Sequence, residues 1–189
     1  MAHDVARPWT APEIWGRKQQ RSTVLPSLLL IDDLPIRISA DGRWLHGDEG
    51  LHPKVAVLFS KCLVPKENGE YELQVGHQKA PVLVSDVGFF VRSMRIEKDS
   101  EGSLTAVVIK VCDQVEESVD CDSFMMSEDN GLYCRIERHG MSVPCKFAPA
   151  QYYELALLAN MEEDKAVLAV QGKAYQLNRP FDVSIKKIQ

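Results

Sequence analysis

Few residues in this chain stand at spacings that suggest chemistry. His46, Asp48, Glu49 and His52 form the densest set of potential metal ligands. Their order, H-G-D-E-G-L-H, matches no familiar site geometry, so a solvated turn is expected there and no metal. Five cysteines, Cys62, Cys112, Cys121, Cys134 and Cys145, are an odd number without a close C-x-x-C pair. They read as reduced thiols that pack as small hydrophobes. The chain contains no Gly-rich phosphate loop, G-x-S-x-G elbow, H-E-x-x-H helix or kinase signature. The expectation is a protein without catalytic residues or cofactor, which binds rather than converts.

Cations beside aromatics and aliphatics are more informative. Lys110 falls in the row Leu104, Ala106, Val108 and Cys112. A lysine in an apolar row must snorkel to water or find an anion, and Asp86 and Asp113 are candidate partners. Tyr133, Arg135 and Lys146 can share the polar face of one hairpin, an aromatic and two cations able to stack on a base and hold a phosphate. His52 and Lys54 open a helix whose free N–H groups could hold an anion, with simple capping as the plainer account.

The elements that must position these groups follow from periodicity. Ile36 and Ile38 alternate with Arg37 and Ser39 ahead of Asp41-Gly42, which predicts a hairpin. Pro53 then opens an amphipathic helix to about Leu63 on Val55, Leu58, Phe59 and Cys62. Strands are expected at Tyr71–Val75, Val82–Val84, Phe89–Glu97, Leu104–Cys112, Leu132–Glu137 and Met141–Phe147, most with one wet face, as in an antiparallel sheet. A second helix opens at Pro149, and a hairpin around Gly172 closes the pattern. The two halves look like copies: Asp41-Gly42-Arg43-Trp44 resembles Asn130-Gly131-Leu132-Tyr133, and each is followed by a Pro-initiated helix and further strands.

The expected fold is therefore α+β with mainly antiparallel sheet, in two similar β-β-α-β-β subdomains. Residues 27–85 form the first and residues 86–180 the larger second, between an irregular arm at 1–26 and a tail at 181–189. The arm carries Trp9 and Trp15, which are expected to dock on the body of the protein. Net charge is −5, from 22 basic and 27 acidic side chains. That balance disfavours nucleic acid, which needs a basic surface. No apolar run approaches the roughly 20 residues that span a bilayer, and no secretory signal is visible, so a cytoplasmic location is expected.

Several runs also resemble the bacterial domain-of-unknown-function family 1285. They are Ile36-Arg37-Ile38 with Asp41-Gly42-x-Trp44, Val57-Leu58-Phe59-Ser60, Gly69-x-Tyr71-x-Leu73, Val84-Ser85-Asp86-x-x-Phe89-x-Val91, Val111-Cys112-Asp113 and Tyr152-Tyr153-Glu154-Leu155. The resemblance covers about Leu30 to Leu177. It implies a duplicated core whose C-terminal half is superficially pleckstrin-homology-like, and a signalling module that binds a nucleotide-like molecule where the domains meet. Asp33, Arg37, Trp44, Asp86, Asp113 and Tyr153 keep the family pattern and join Lys110 as candidate ligand-binding residues. The chain departs from that pattern at Gly88, Lys110, Cys112 and Pro149, where the family has Pro, Asn, Gly and Arg. The alternative is a protein-interaction adaptor, partnered through the sheet and the tryptophan-bearing arm.

Overall fold

A computed structural model gives the fold and describes residues 34–180. The first sheet is built from β1 (Ile36–Ile38), β2 (Trp44–His46), β3 (Glu49–Gly50), β4 (Leu63–Pro65), β5 (Tyr71–Val75) and β6 (Gln78–Val84), in the order β3-β2-β1-β6-β5-β4. Its helix α1 (Pro53–Lys61) has Pro53 in its first turn, where a missing N–H costs nothing, and the His52 ring accepts from the Lys54 N–H. Val55 and Phe59 are the buried apolar residues of this helix, one turn apart. Leu63, expected at the helix end, instead starts β4, because Cys62 already caps the last turn.

The second sheet comprises β7 (Phe89–Lys98), β8 (Leu104–Val111), β9 (Glu116–Ser118), β10 (Met125–Met126), β11 (Leu132–Arg138) and β12 (Met141–Phe147), in the order β10-β11-β12-β7-β8-β9. After α2 (Pro149–Ala156), a three-stranded meander of β13 (Asn160–Glu162), β14 (Lys165–Val170) and β15 (Lys173–Gln176) completes the described chain. The meander is tied to β8 through Gln171, whose N–H donates to the Leu104 carbonyl at 2.8 Å. Most pairings are antiparallel, but β1–β6 and β7–β12 are parallel. The fold is α+β with a duplicated core.

Hydrogen bonding fixes the register of that duplication. In the β1–β2 turn the Ser39 hydroxyl accepts from the Arg43 N–H at 3.0 Å and also bonds Asp41, and Gly42 has φ +79°. In the β10–β11 turn the Ser127 hydroxyl accepts from the Gly131 N–H at 3.0 Å and donates to Asp129 at 2.5 Å, with Asn130 at φ +60°. Asp129-Asn130, rather than Asn130-Gly131, is thus the counterpart of Asp41-Gly42. Glycine and asparagine hold the two left-handed positions, which other side chains seldom adopt. The equivalence continues: Leu45 pairs with Gly50 as Tyr133 pairs with Lys146, and each pairing leads within a few residues to a proline-initiated helix. Phe59 and Leu155 are then the matching buried helix residues. Each copy has three strands, a helix and three strands, with β7 to β9 inserted between them.

The expected facing of β8 changes. A register shift between Glu97 and Lys98 puts an extra residue into β8, so Leu104 and Val107 are both buried although three residues apart. From Val107 the core-facing row is Val107, Ile109 and Val111, and Lys110 lies on the opposite, half-exposed face. The bulge reverses the alternation that a continuous strand would show. No helix among the described residues is long and apolar enough to cross a membrane.

Candidate functional site

The two sheets meet at a seam around the linker Ser85–Gly88. Gly42 packs so closely on the Phe90 ring that a Cβ there would lie 2.8 Å from it, and a Cβ on Gly88 would lie 2.5 Å from the Tyr71 ring. Tyr71 stands edge-on to Phe89 with ring centroids 6.2 Å apart. Burial, the main cause, pushes the Tyr71 hydroxyl up to about 12 although it bonds the Gly88 backbone. Arg92 crosses the seam to the Gly42 carbonyl at 3.0 Å.

Asp86 is the polar centre of this seam. One of its carboxylate oxygens accepts from the Tyr133 hydroxyl at 2.9 Å and from Lys146 Nζ at 2.6 Å. Lys146 also reaches the Ala40 carbonyl at 3.4 Å and lies 5.4 Å from the Tyr133 ring centre. Burial works against the lysine's charge, but Asp86 outweighs it, and the Lys146 pKa is raised. Tyr133 is raised too, by burial and then by the neighbouring carboxylate. Tyr133 and Lys146 do share a face, as expected, but Tyr133 is buried against the linker rather than displayed to solvent.

Asp113 belongs to a second cluster. Arg138 donates to it at 2.5 Å and to Glu117 at 2.6 Å, and its guanidinium lies 5.6 Å from the centre of the Phe89 ring. Asp113 also accepts from the Val115 N–H. Burial opposes the Arg138 charge, and the two carboxylates more than offset it, so its pKa rises. Neither Arg138 nor Glu117 was marked by sequence pattern, since each reads as an ordinary polar residue near a turn.

The other candidates lie apart. Arg37 donates to the Gly47 carbonyl at 2.6 Å and to Asp48 at 2.7 Å, while its buried Nε has no hydrogen-bond partner among the described residues. Trp44 is a core residue, with its indole N–H on the Ser60 hydroxyl at 3.1 Å and its ring edge-on to Phe59. Tyr153 is exposed on α2. Lys110 faces Glu116 at 3.7 Å, not Asp86 or Asp113. Asp33 lies outside the described residues, as do Trp9 and Trp15. No hydrogen bond, ion pair or ring contact joins two of the six described candidates. In the stretch from His46 to His52, Asp48 is held by Arg37 and His52 caps α1, and no group of three or more potential metal ligands converges among the described residues.

Lys110 does line a shallow depression of about 230 Å³, with Ser93, Met94, Arg95, Val108, Ile109 and Glu116. It starts one residue from Arg92, which spans the seam. Both cations are paired with a carboxylate, Lys110 with Glu116 at 3.7 Å and Arg95 with Glu97, so a phosphate or carboxylate arriving over the aliphatic floor would compete with those acids for them.

The same arrangement of strands occurs in solved structures. A DUF1285 family protein from Silicibacter pomeroyi superposes with a TM-score of 0.62 over 78% of this chain and 81% of its own, at 18% identity. A second, from Shewanella baltica, gives 0.51 over 65% and 90%, at 24% identity. The fold is that of the DUF1285 proteins. No family model matches the sequence, and no curated protein is similar to it.

Proposed function

We propose that this protein is a non-catalytic binding module whose ligand is a small, nucleotide-like anion received on the half-exposed face of the second sheet, beside the seam. The depression that Lys110 and Arg95 line carries this reading. Its volume is below the roughly 300 Å³ from which pockets for whole drug-sized ligands start, so it would take the charged end of such a molecule. Asp86 and Asp113, the two described carboxylates among the candidates, are already engaged by Lys146 and Arg138, which supports binding rather than acid–base chemistry. The free thiols favour the cytoplasm, where a role in signal transduction would place it.

A panel of nucleotides, cyclic dinucleotides and inorganic anions in a thermal-shift assay tests this. A true ligand at about 100 times its Kd should raise the midpoint by roughly 5–10 °C. The shift should disappear in Lys110→Ala, which by itself should leave the unliganded midpoint nearly unchanged. A shift that survives in Lys110→Ala and in Arg95→Ala would place the ligand elsewhere.

One observation favours the adaptor reading instead. Tyr153 on α2, Leu157 at its C-terminal end and Met161 in β13 are 65%, 87% and 70% exposed. Large apolar side chains left in water within one short stretch of chain can mark a surface that meets a partner protein. Under that reading Leu157→Glu removes association with the partner, and Lys110→Ala does not.

A further inference from the structure

Strand register brings three donors of different kinds to the depression: a hydroxyl, an ammonium and a guanidinium. Ser93 on β7 stands directly opposite Lys110 on β8, and Lys110 stands opposite Glu116 on β9. Arg95, two residues along β7 from Ser93, lines the same depression and pairs with Val108. It is the diagonal neighbour of Lys110, a relation that sets two residues roughly 7–8 Å apart, so that two long side chains can close on one small anion. The register shift between Val91 and Ser93 fixes this arrangement. Without the extra residue at Arg92, the other set of β7 side chains would share the face of Lys110.

Each cation already holds an acid. Lys110 Nζ lies 3.7 Å from Glu116, and the Arg95 guanidinium is paired with Glu97, two residues further along β7. The four side chains are between 37% and 60% exposed, so these are exposed contacts that a stronger anion can displace. The exchange is balanced only for a double charge. A ligand that takes both cations turns two carboxylates out into water, and it replaces their charge in full if it carries two charges itself. A carboxylate, sulfonate or phosphodiester brings one, and offers either cation no more than its own glutamate does. A phosphate monoester brings nearly two charges at neutral pH and three terminal oxygens, one for each donor.

We propose that the depression receives the terminal phosphate of a phosphate monoester, and that Glu97 and Glu116 are specificity-determining residues that hold the two cations against singly charged anions. This rests on the reading of the depression as the binding site and names the class of ligand it admits. A nucleoside 5′-monophosphate qualifies; a cyclic dinucleotide, whose phosphates are all diesters, does not. Lys110 and Arg95 take one oxygen each, the Ser93 hydroxyl donates to the third, and the rest of the ligand lies on Val108 and Met94.

NMR titrations of the full chain at low ionic strength, where exposed charges are least screened, test this with four probes. Phenyl phosphate should shift the amide signals of Ser93, Arg95 and Lys110 saturably. Benzenesulfonate, of nearly the same shape but singly charged, should bind about tenfold more weakly, the strength of one charge-assisted hydrogen bond, and so should the diester phenyl methyl phosphate. Inorganic phosphate, which has no ring to lay on the aliphatic floor, should also bind more weakly than phenyl phosphate. The Glu97→Gln/Glu116→Gln variant should bind phenyl phosphate roughly tenfold more tightly, at about two- to fivefold for each exposed pair removed. Glu101→Gln, in the exposed β7–β8 turn, should leave that affinity unchanged. Equal wild-type affinity for phenyl phosphate and any of the other three probes would overturn the ligand class, and an unchanged affinity in the double variant would overturn the role of the two acids. Both results leave the depression as the binding site. No saturable shift at Ser93, Arg95 and Lys110 with any probe, in the wild type or the double variant, would overturn the proposed function together with this inference.

Discussion

Replacing Asp86 by Asn should loosen the seam by an amount that can be worked out from its surroundings. The side chains of Lys146 and Asp86 are only 19% and 22% exposed, so water recovers little of what the carboxylate provides. A hydrogen bond to a charged group contributes about 1.5–3 kcal/mol net, and stranding a half-buried cation falls within that range, so about 2 kcal/mol is expected. For a chain of this size that is a fall in Tm of roughly 4–8 °C. Lys146→Met should cost less, about 1 kcal/mol, because Asp86 keeps the Tyr133 hydroxyl and remains partly hydrated. The double variant should then cost little more than Asp86→Asn alone, giving a coupling energy of about 1 kcal/mol or more in a urea-denaturation cycle at neutral pH. A coupling below about 0.5 kcal/mol would mean that the pair behaves as an exposed surface contact, and the account of Asp86 as the centre of the seam would fail.

Two further outcomes follow from the same region. Gly88→Ala places a Cβ 2.5 Å from the Tyr71 ring and should lower stability by about 1–3 kcal/mol, through overpacking. In a Tyr71→Leu background the penalty should shrink; an equal penalty in both backgrounds would show that the ring is not its cause. Stability should also fall above about pH 10. Tyr71, Tyr133 and Lys146 all have raised pKa values in the folded protein, so their contribution is complete below the ordinary values near 10 and is lost as pH climbs towards the folded ones, about 12 for Tyr71. Ultraviolet titration of tyrosinate alongside thermal melts checks this, and full ionisation of all tyrosines near pH 10 in folded protein would contradict it.

Local rules explain what could be read without a structure. The Asp41-Gly42 turn, the two helices opened by Pro53 and Pro149 and the hairpin at Gly172 each depend on residues within a few positions of one another, where φ restrictions and capping act. The duplication was legible in the order of elements. Its register was not, because Ser127, Asp129 and Asn130 reproduce the geometry of Ser39, Asp41 and Gly42 with different letters. Trp44 could be picked out, but as a ligand-binding candidate rather than the core residue it is, and Tyr71 only as part of a strand.

The sequence by itself determined the fold class and the positions of most strands, since period-two alternation and turn residues are properties of neighbouring positions. Tertiary structure alone decided which charges meet. Lys146 finds Asp86 sixty residues away and Arg138 finds Asp113 twenty-five away, through the parallel pairing of β7 with β12 and the antiparallel pairing of β8 with β7. A single extra residue in β8 decided that Lys110 faces Glu116 and the depression rather than the core. Because the side chains of a strand alternate every residue, one bulge changes the face of all that follow, and a bulge is a feature of paired strands that one strand's letters do not carry.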